Sequence, residues 1–152
     1  MANIVYNEYK VNLVTQNIAA WSSSGKFGVL LVDSTYTAGE TDTFSTITGK
    51  EITDSGYARK VLTGVTTSSV TVAATTSDDY YKVDATDCAF GPNVSLTASG
   101  AVIFEINSSG TITDAPASIV TFVDFGSSKT SSNGDFTVVW NANGILNYKQ
   151  GA

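Results

Sequence analysis

The stretch IVTFVDFGSSKTSSNGDFTVVWNANGILNY (Ile119–Tyr148) decides the fold. It holds three short apolar runs, Ile119–Phe125, Phe136–Trp140 and Gly144–Tyr148, rich in β-branched and aromatic residues. Gly126 to Asn133 and Asn141 to Gly144 separate them, and such Gly, Asn and Ser clusters are turn formers. Runs of this length are too short for packed helices and right for strands.

Moving outward, the same grammar recurs at Lys26–Val32, Tyr57–Leu62, Ser69–Ala74, Tyr80–Ala85, Thr86–Phe90 and Ala101–Ile106. Val70, Val72 and Ala74 alternate with other residues, as a strand with one face inward requires. KFGVLLV (Lys26–Val32) is apolar throughout and ends at Asp33-Ser34, so it reads as a buried strand. Thr37 to Asp54 is polar, with Phe44 and Ile47 three apart, and fits a short helical turn or an irregular loop. The helix expected in this chain spans Tyr6 to Ile18, where Val5, Tyr9 and Leu13 recur at four-residue spacing with Tyr6 beside them. About nine strands at this spacing predict an all-β fold, an antiparallel β-sandwich or jelly-roll-like barrel with a short N-terminal helix. The expected organisation is one β-sandwich domain over residues 1–152, with 1–25 as helix and connecting loop.

Composition narrows the function. The chain has no histidine and one cysteine among 152 residues, so neither a Ser-His-Asp triad nor a Cys-His dyad can be built. No helical Ser-x-x-Lys spacing replaces them, and the expectation is no enzyme and no cofactor. Asp54-Ser55-Gly56 matches the aspartic-protease tripeptide, but that chemistry needs two such loops and the chain has one, so a turn is expected. Asp78, Asp79, Asp84 and Asp87 are the densest acidic cluster. Calcium wants six to eight oxygens, and no EF-hand spacing is present, so solvated turn and strand-end positions are expected, with no metal. Cys88 is expected to pack as a small hydrophobe.

The net charge of −6 and the scatter of the eight basic residues, with only Arg59-Lys60 adjacent, argue against nucleic acid or an anionic membrane as partner. Trp21, Tyr36, Tyr57, Tyr80, Tyr81 and Trp140 invite a sugar-binding reading. Trp140 closes an apolar run and is expected in the core. Tyr80 and Tyr81 must point to opposite faces of a strand, so one ring is expected outside, as a contact surface. Asn93-Val94-Ser95 and Asn107-Ser108-Ser109 match the glycosylation acceptor pattern and are read as turns, since no secretory signal opens the chain.

GYARKVLTG (Gly56–Gly64), YKVDATDCAF (Tyr81–Phe90), AVIFE (Ala101–Glu105) and FVDFGSSKTSSNGDFTVVWNANGIL (Phe122–Leu146) follow one another in an order that resembles a family of small tailed-phage virion proteins. YNEYKVNLV (Tyr6–Val14) and KFGVLLVDSTYT (Lys26–Thr37) are similar to that family's opening helix and first strand. The chain departs from it at Thr63 to Ser77 and at Gly91-Pro92-Asn93.

The resemblance implies a virion structural protein without catalytic residues, described in such families as a capsid decoration, head or tail protein. It would be made in the host cytoplasm and carried on the phage particle. Reducing synthesis agrees with the lone cysteine. Acidity suits the outer surface of a head more than the side facing packaged genome. The expected role is a capsid decoration (cement) protein. Its expected partners are the major capsid protein and further copies of itself in a symmetric homo-oligomer, a trimer for instance. The competing readings are a tail or tail-tip protein and a carbohydrate-binding adhesin module using Tyr80 and Tyr81.

Overall fold

Val29, Leu30, Leu31 and Val32 are all fully buried although they alternate between the two faces of one strand. Only a strand covered on both sides can do this. In the computed structural model, residues 3–15, 20–21, 25–70 and 80–149 are described, with backbone alone for 68–70, 80–81 and 148–149. The elements are β1 (Ile4–Val5), α1 (Asn7–Val14), β2 (Phe27–Val32), α2 (Phe44–Thr48), β3 (Lys60–Val61), β4 (Thr66–Val70), β5 (Tyr80–Asp84), β6 (Cys88–Ala89), β7 (Val94–Glu105), β8 (Ser118–Gly134), β9 (Thr137–Val138) and β10 (Leu146–Lys149). The protein is mainly β, with antiparallel sheets and a short N-terminal helix, as expected.

Among the described residues, three sheets run β1-β8-β7-β2-β3, β10-β5-β4 and β6-β9. The five-stranded sheet is the middle layer. On one face, Phe27, Val29, Leu31, Ala101 and Ile103 meet Val83, Cys88, Val138 and Leu146 from the two smaller sheets, a sandwich-like arrangement. On the other face, Leu30, Val32, Val102, Phe104 and Phe122 are covered by Tyr6, Tyr36 and Ile47. Tyr36 and Ile47 belong to the excursion between β2 and β3 that contains α2. The sequence predicts a helical turn or loop there, and the helix that forms gives the sheet its second cover.

Two rings fill places where the sheet has no side chain. Gly28 pairs with Phe104, and a Cβ on Gly28 would stand 2.5 Å from the ring's Cζ. Gly100 leaves its space to the ring of Phe122 in the same way. Glycine is required here by close approach.

β7 and β8 are much longer than expected. The polar stretch Gly126 to Asn133, expected as a loop, is strand, with Leu96 opposite Ser131, Thr97 opposite Thr130 and Ala98 opposite Lys129. Val94, Leu96 and Ala98 on β7 are buried while the facing part of β8 is exposed. The ribbon is therefore held by its β7 half, and the hydroxyl residues on β8 supply ladder hydrogen bonds without needing a core. Between Ala98 and Gly100 the register slips, and Gly126 takes a left-handed φ of 74° with its N–H donating to Asp124 Oδ1 at 2.9 Å.

Candidate contact surface

α1 is eight residues long, too short to persist alone in water. Its N-terminus is stitched to a bulge in β8, where Val120 is left over as Ile103 pairs with Thr121 and Phe104 with Ile119. The Tyr6 N–H donates to the Val120 carbonyl at 3.1 Å, and the Ile119 N–H donates to Glu8 Oε2 at 3.2 Å. Those bonds take up backbone groups that the bulge takes out of the ladder. Tyr9 anchors the first turns: it is buried, and its hydroxyl accepts from the Trp21 indole N–H at 2.9 Å. Trp21 in turn stacks on Phe27, with ring centroids 3.9 Å apart.

The helix stops earlier than Ile18. It ends at Val14, Thr15 closes it by donating from N and Oγ1 to the Val11 carbonyl, and 16–19 lie outside the described residues. The expected apolar stripe is buried only in part. Tyr6 and Tyr9 are in the core and Val5 is half-buried, but Leu13 is 42% exposed; Val11 and Val14, outside that stripe, are 59% and 84% exposed. The stripe leads out of the protein.

Beside it lies a groove of about 650 Å³. Val5, Tyr9, Leu13, Ile145 and Leu146 make its apolar part, and Asn3, Asn141, Asn143 and Asn147 rim it. Lys10 is the one cationic residue among the described residues that line it, paired with Glu40 Oε2 at 2.9 Å. Among the described residues, no aspartate or glutamate lines it. A second groove of about 550 Å³ meets it at Asn3 and Asn141 and is different in kind, with Asp124, Lys129 and Asp135 among Phe125, Phe136 and Val139.

The residues singled out in the sequence fall elsewhere. Tyr80 and Tyr81 lie on β5, the middle strand of its sheet, paired with Lys149 and Tyr148 on one side and Val70 and Ser69 on the other. Which way their rings point lies outside the described atoms. Of the other aromatic residues, Trp21, Tyr36 and Trp140 are buried, so those rings offer no face to a sugar. Trp140, in the core as expected, donates from Nε1 to the Thr86 carbonyl at 3.0 Å, and its N–H donates to Asp87 Oδ1 at 3.0 Å. The Tyr57 hydroxyl donates to Glu51 Oε1 at 2.8 Å and accepts the Leu31 N–H at 3.1 Å.

Asp84 is paired with Lys82 at 2.8 Å, while Asp78 and Asp79 lie outside the described residues. Among the described residues, no group of three or more His, Cys, Asp or Glu is placed to hold a metal ion. Asp54-Ser55-Gly56 is a turn, closed by the Tyr57 N–H on the Asp54 carbonyl, and Asp54 Oδ2 accepts the Thr97 N–H at 2.8 Å. Cys88 is buried in the core, and burial pushes its thiol up to about 11. Asn93 and Asn107 both sit in turns, Asn93 at a φ of 60° and Asn107 with its Oδ1 accepting the Ser109 N–H.

Sequence reasoning missed the groove because its two walls are far apart along the chain. NANGILN (Asn141–Asn147) reads as separator and strand start, and only its density of asparagine hints at a polar rim. The face can exclude water and match amide groups. No family model matches the chain, and comparison with curated proteins and with solved structures returned no match.

Proposed function

We propose that this chain is a non-enzymatic virion structural protein of a tailed phage, a capsid decoration (cement) protein that binds and stabilises the outer head. The observation that supports the assembly half of this reading is the exposure of Leu13 and Val14 on α1 beside a groove that no aspartate or glutamate lines among the described residues. A contiguous apolar patch rimmed by polar groups marks a surface that meets another protein. The virion half rests on the ordered resemblance from Tyr6 to Leu146. The partners are the major capsid protein and other copies of this chain.

The mechanism is mass action. A subunit that binds the assembled shell and not its separated parts stabilises the shell by RT ln(1 + [L]/Kd). The test is co-sedimentation of the purified protein with expanded heads that lack it. Binding is expected to saturate and to raise the temperature at which the heads open; heads that pellet without it overturn the reading. Labelled antibody on intact particles separates head from tail or tail tip.

A further inference from the structure

The chain holds two Asn-Gly pairs, Asn133-Gly134 and Asn143-Gly144. In such a pair the glycine nitrogen, uncrowded by a side chain, is able to attack the carboxamide carbon of the asparagine before it. Both asparagines are exposed, so sequence and exposure do not separate the two pairs. The backbone around them does.

Gly144 is pinned. Its N–H, the group that would attack, donates to the Asn141 carbonyl at 2.7 Å, and the next N–H, of Ile145, donates to the Val83 carbonyl at 2.8 Å. The Val83 oxygen stands 2.6 Å from where a Cβ on Gly144 would be, so β5 closes off the space beside this peptide. Asn133 instead lies in a bulge. Val94 pairs with Gly134 and Leu96 with Ser131, which leaves Ser132 and Asn133 facing the single residue Ser95. The Asn133 N–H donates to Ser95 Oγ at 2.9 Å, and Ser95 is itself exposed. Hydrogen bonds open to water and few buried contacts mark the parts of a fold that open first. No demand of the fold places glycine after Asn133. The φ of Gly134 lies outside the left-handed region, and among the described residues a Cβ there would meet nothing closer than the Ser132 carbonyl oxygen at 3.8 Å.

We infer that Asn133 is a site of spontaneous deamidation and that the fold protects Asn143. When the bulge opens, the Gly134 nitrogen gives up its proton to water and bonds to Asn133 Cγ. The bond from Cγ to the amide nitrogen breaks, and ammonia leaves. The succinimide so formed takes up one water at either carbonyl and opens to aspartate or isoaspartate, with nothing oxidised or reduced. The product carries one more negative charge than the chain's −6, two residues from Asp135. Its isoaspartyl form adds a carbon to the main chain within β8.

The experiment is incubation of the full chain at about pH 8, below the onset of alkaline destabilisation, with peptide mapping by mass spectrometry over time. In the folded chain, amide loss at Asn133 is expected to outpace that at Asn143 by at least about tenfold, and in urea the two rates are expected to converge. Gly134→Ala is expected to slow loss at Asn133 at least about tenfold by crowding the nitrogen, with an unchanged circular dichroism spectrum. The comparison of folded and urea-unfolded wild type holds even if that variant misfolds. Equal rates at the two asparagines in the folded chain overturn the inference. So does an Asn133 amide that persists in the folded chain after the urea sample has converted, or a loss indifferent to Gly134→Ala.

Discussion

Arg59 and Glu51 meet in parallel, Nε to Oε1 at 2.8 Å and Nη2 to Oε2 at 2.7 Å, with side chains only 10% and 12% exposed. Tyr57 donates a third hydrogen bond to the same carboxylate, and Arg59 Nη1 reaches the carbonyls of Ile112, Thr113 and Asp114. The guanidinium also lies over Phe44 and Phe104, 5.2 and 5.6 Å from their ring centres. One side chain thereby ties α2, the middle sheet and the loop between β7 and β8 together.

Removing one partner of such a pair strands the other away from water. Arg59→Met is expected to cost about 3–5 kcal/mol in urea unfolding. The double variant Arg59→Met, Glu51→Leu is expected to recover part of that loss, because no charge is then left buried. A cost under about 1 kcal/mol, the range of exposed pairs, would mean that the pair is solvated in solution.

A second buried chain gives an asymmetric pair of variants. The Tyr36 hydroxyl donates to Asp42 Oδ2 at 2.9 Å, so its bond of 2.7 Å with Tyr6 must have Tyr6 as donor. Tyr36→Phe leaves the Tyr6 hydroxyl buried with no acceptor and is expected to cost about 1–3 kcal/mol. Tyr6→Phe leaves Tyr36 still bonded to Asp42, and about 0.5–1.5 kcal/mol is expected. Equal losses on thermal or urea unfolding would contradict this order of donors.

Where a residue's neighbours along the chain determine its environment, the sequence is legible. KFGVLLV can only be a strand covered on both faces, because no alternation leaves a wet side. Gly126 to Asn133 is not legible as strand. An exposed edge needs no apolar member, and its ladder partner Val94–Ala98 holds the core contacts for both. Leu13 shares a helix face with Tyr9 by spacing alone, but spacing does not say where that face leaves the protein. The groove is out of reach for a stronger reason: β1 and α1 make one wall and Asn141–Asn147 the other, and no local pattern joins the two ends of a chain. Tyr80 and Tyr81 stand out in the sequence because strand alternation points their two rings to opposite faces.

Two glycines with opposite surroundings test the packing of the sheet. A methyl on Gly28 would stand 2.5 Å from Phe104 Cζ and 2.8 Å from Cε2, so the ring must leave its place. Gly28→Ala is expected to destabilise by about 1–3 kcal/mol, and a companion Phe104→Leu to relieve part of that. Gly49 closes α2 at a φ of −72°, and a methyl there would meet nothing within 4 Å. Gly49→Ala therefore restricts only the unfolded chain and is expected to be neutral or to stabilise by about 0.4–1 kcal/mol. Equal thermal midpoints for the two variants would place the Phe104 ring elsewhere.

Alkaline pH should destabilise this protein in two stages. Burial raises the Cys88 thiol from 9.0 to about 11, and burial likewise holds the hydroxyls of Tyr6, Tyr36 and Tyr57 well above the ordinary value of 10.0. In each case the folded chain keeps a proton that the unfolded chain releases, so stability falls as pH rises. The Cys88 contribution is complete below about pH 9 and is lost as pH climbs to about 11. The tyrosines begin to act only above their unfolded value near 10 and continue past the point where the thiol has ionised. One group in its window changes the unfolding free energy by up to about 1.4 kcal/mol per pH unit. Urea midpoints should therefore be level from about pH 7 to 8.5, slope downward from about 9, and steepen above about 10. Cys88→Ala is expected to flatten the segment between about 9 and 10 and to lessen, without abolishing, the slope above about 10. A wild-type midpoint unchanged at about pH 10.5 would mean that neither the thiol nor the phenols are shielded from water.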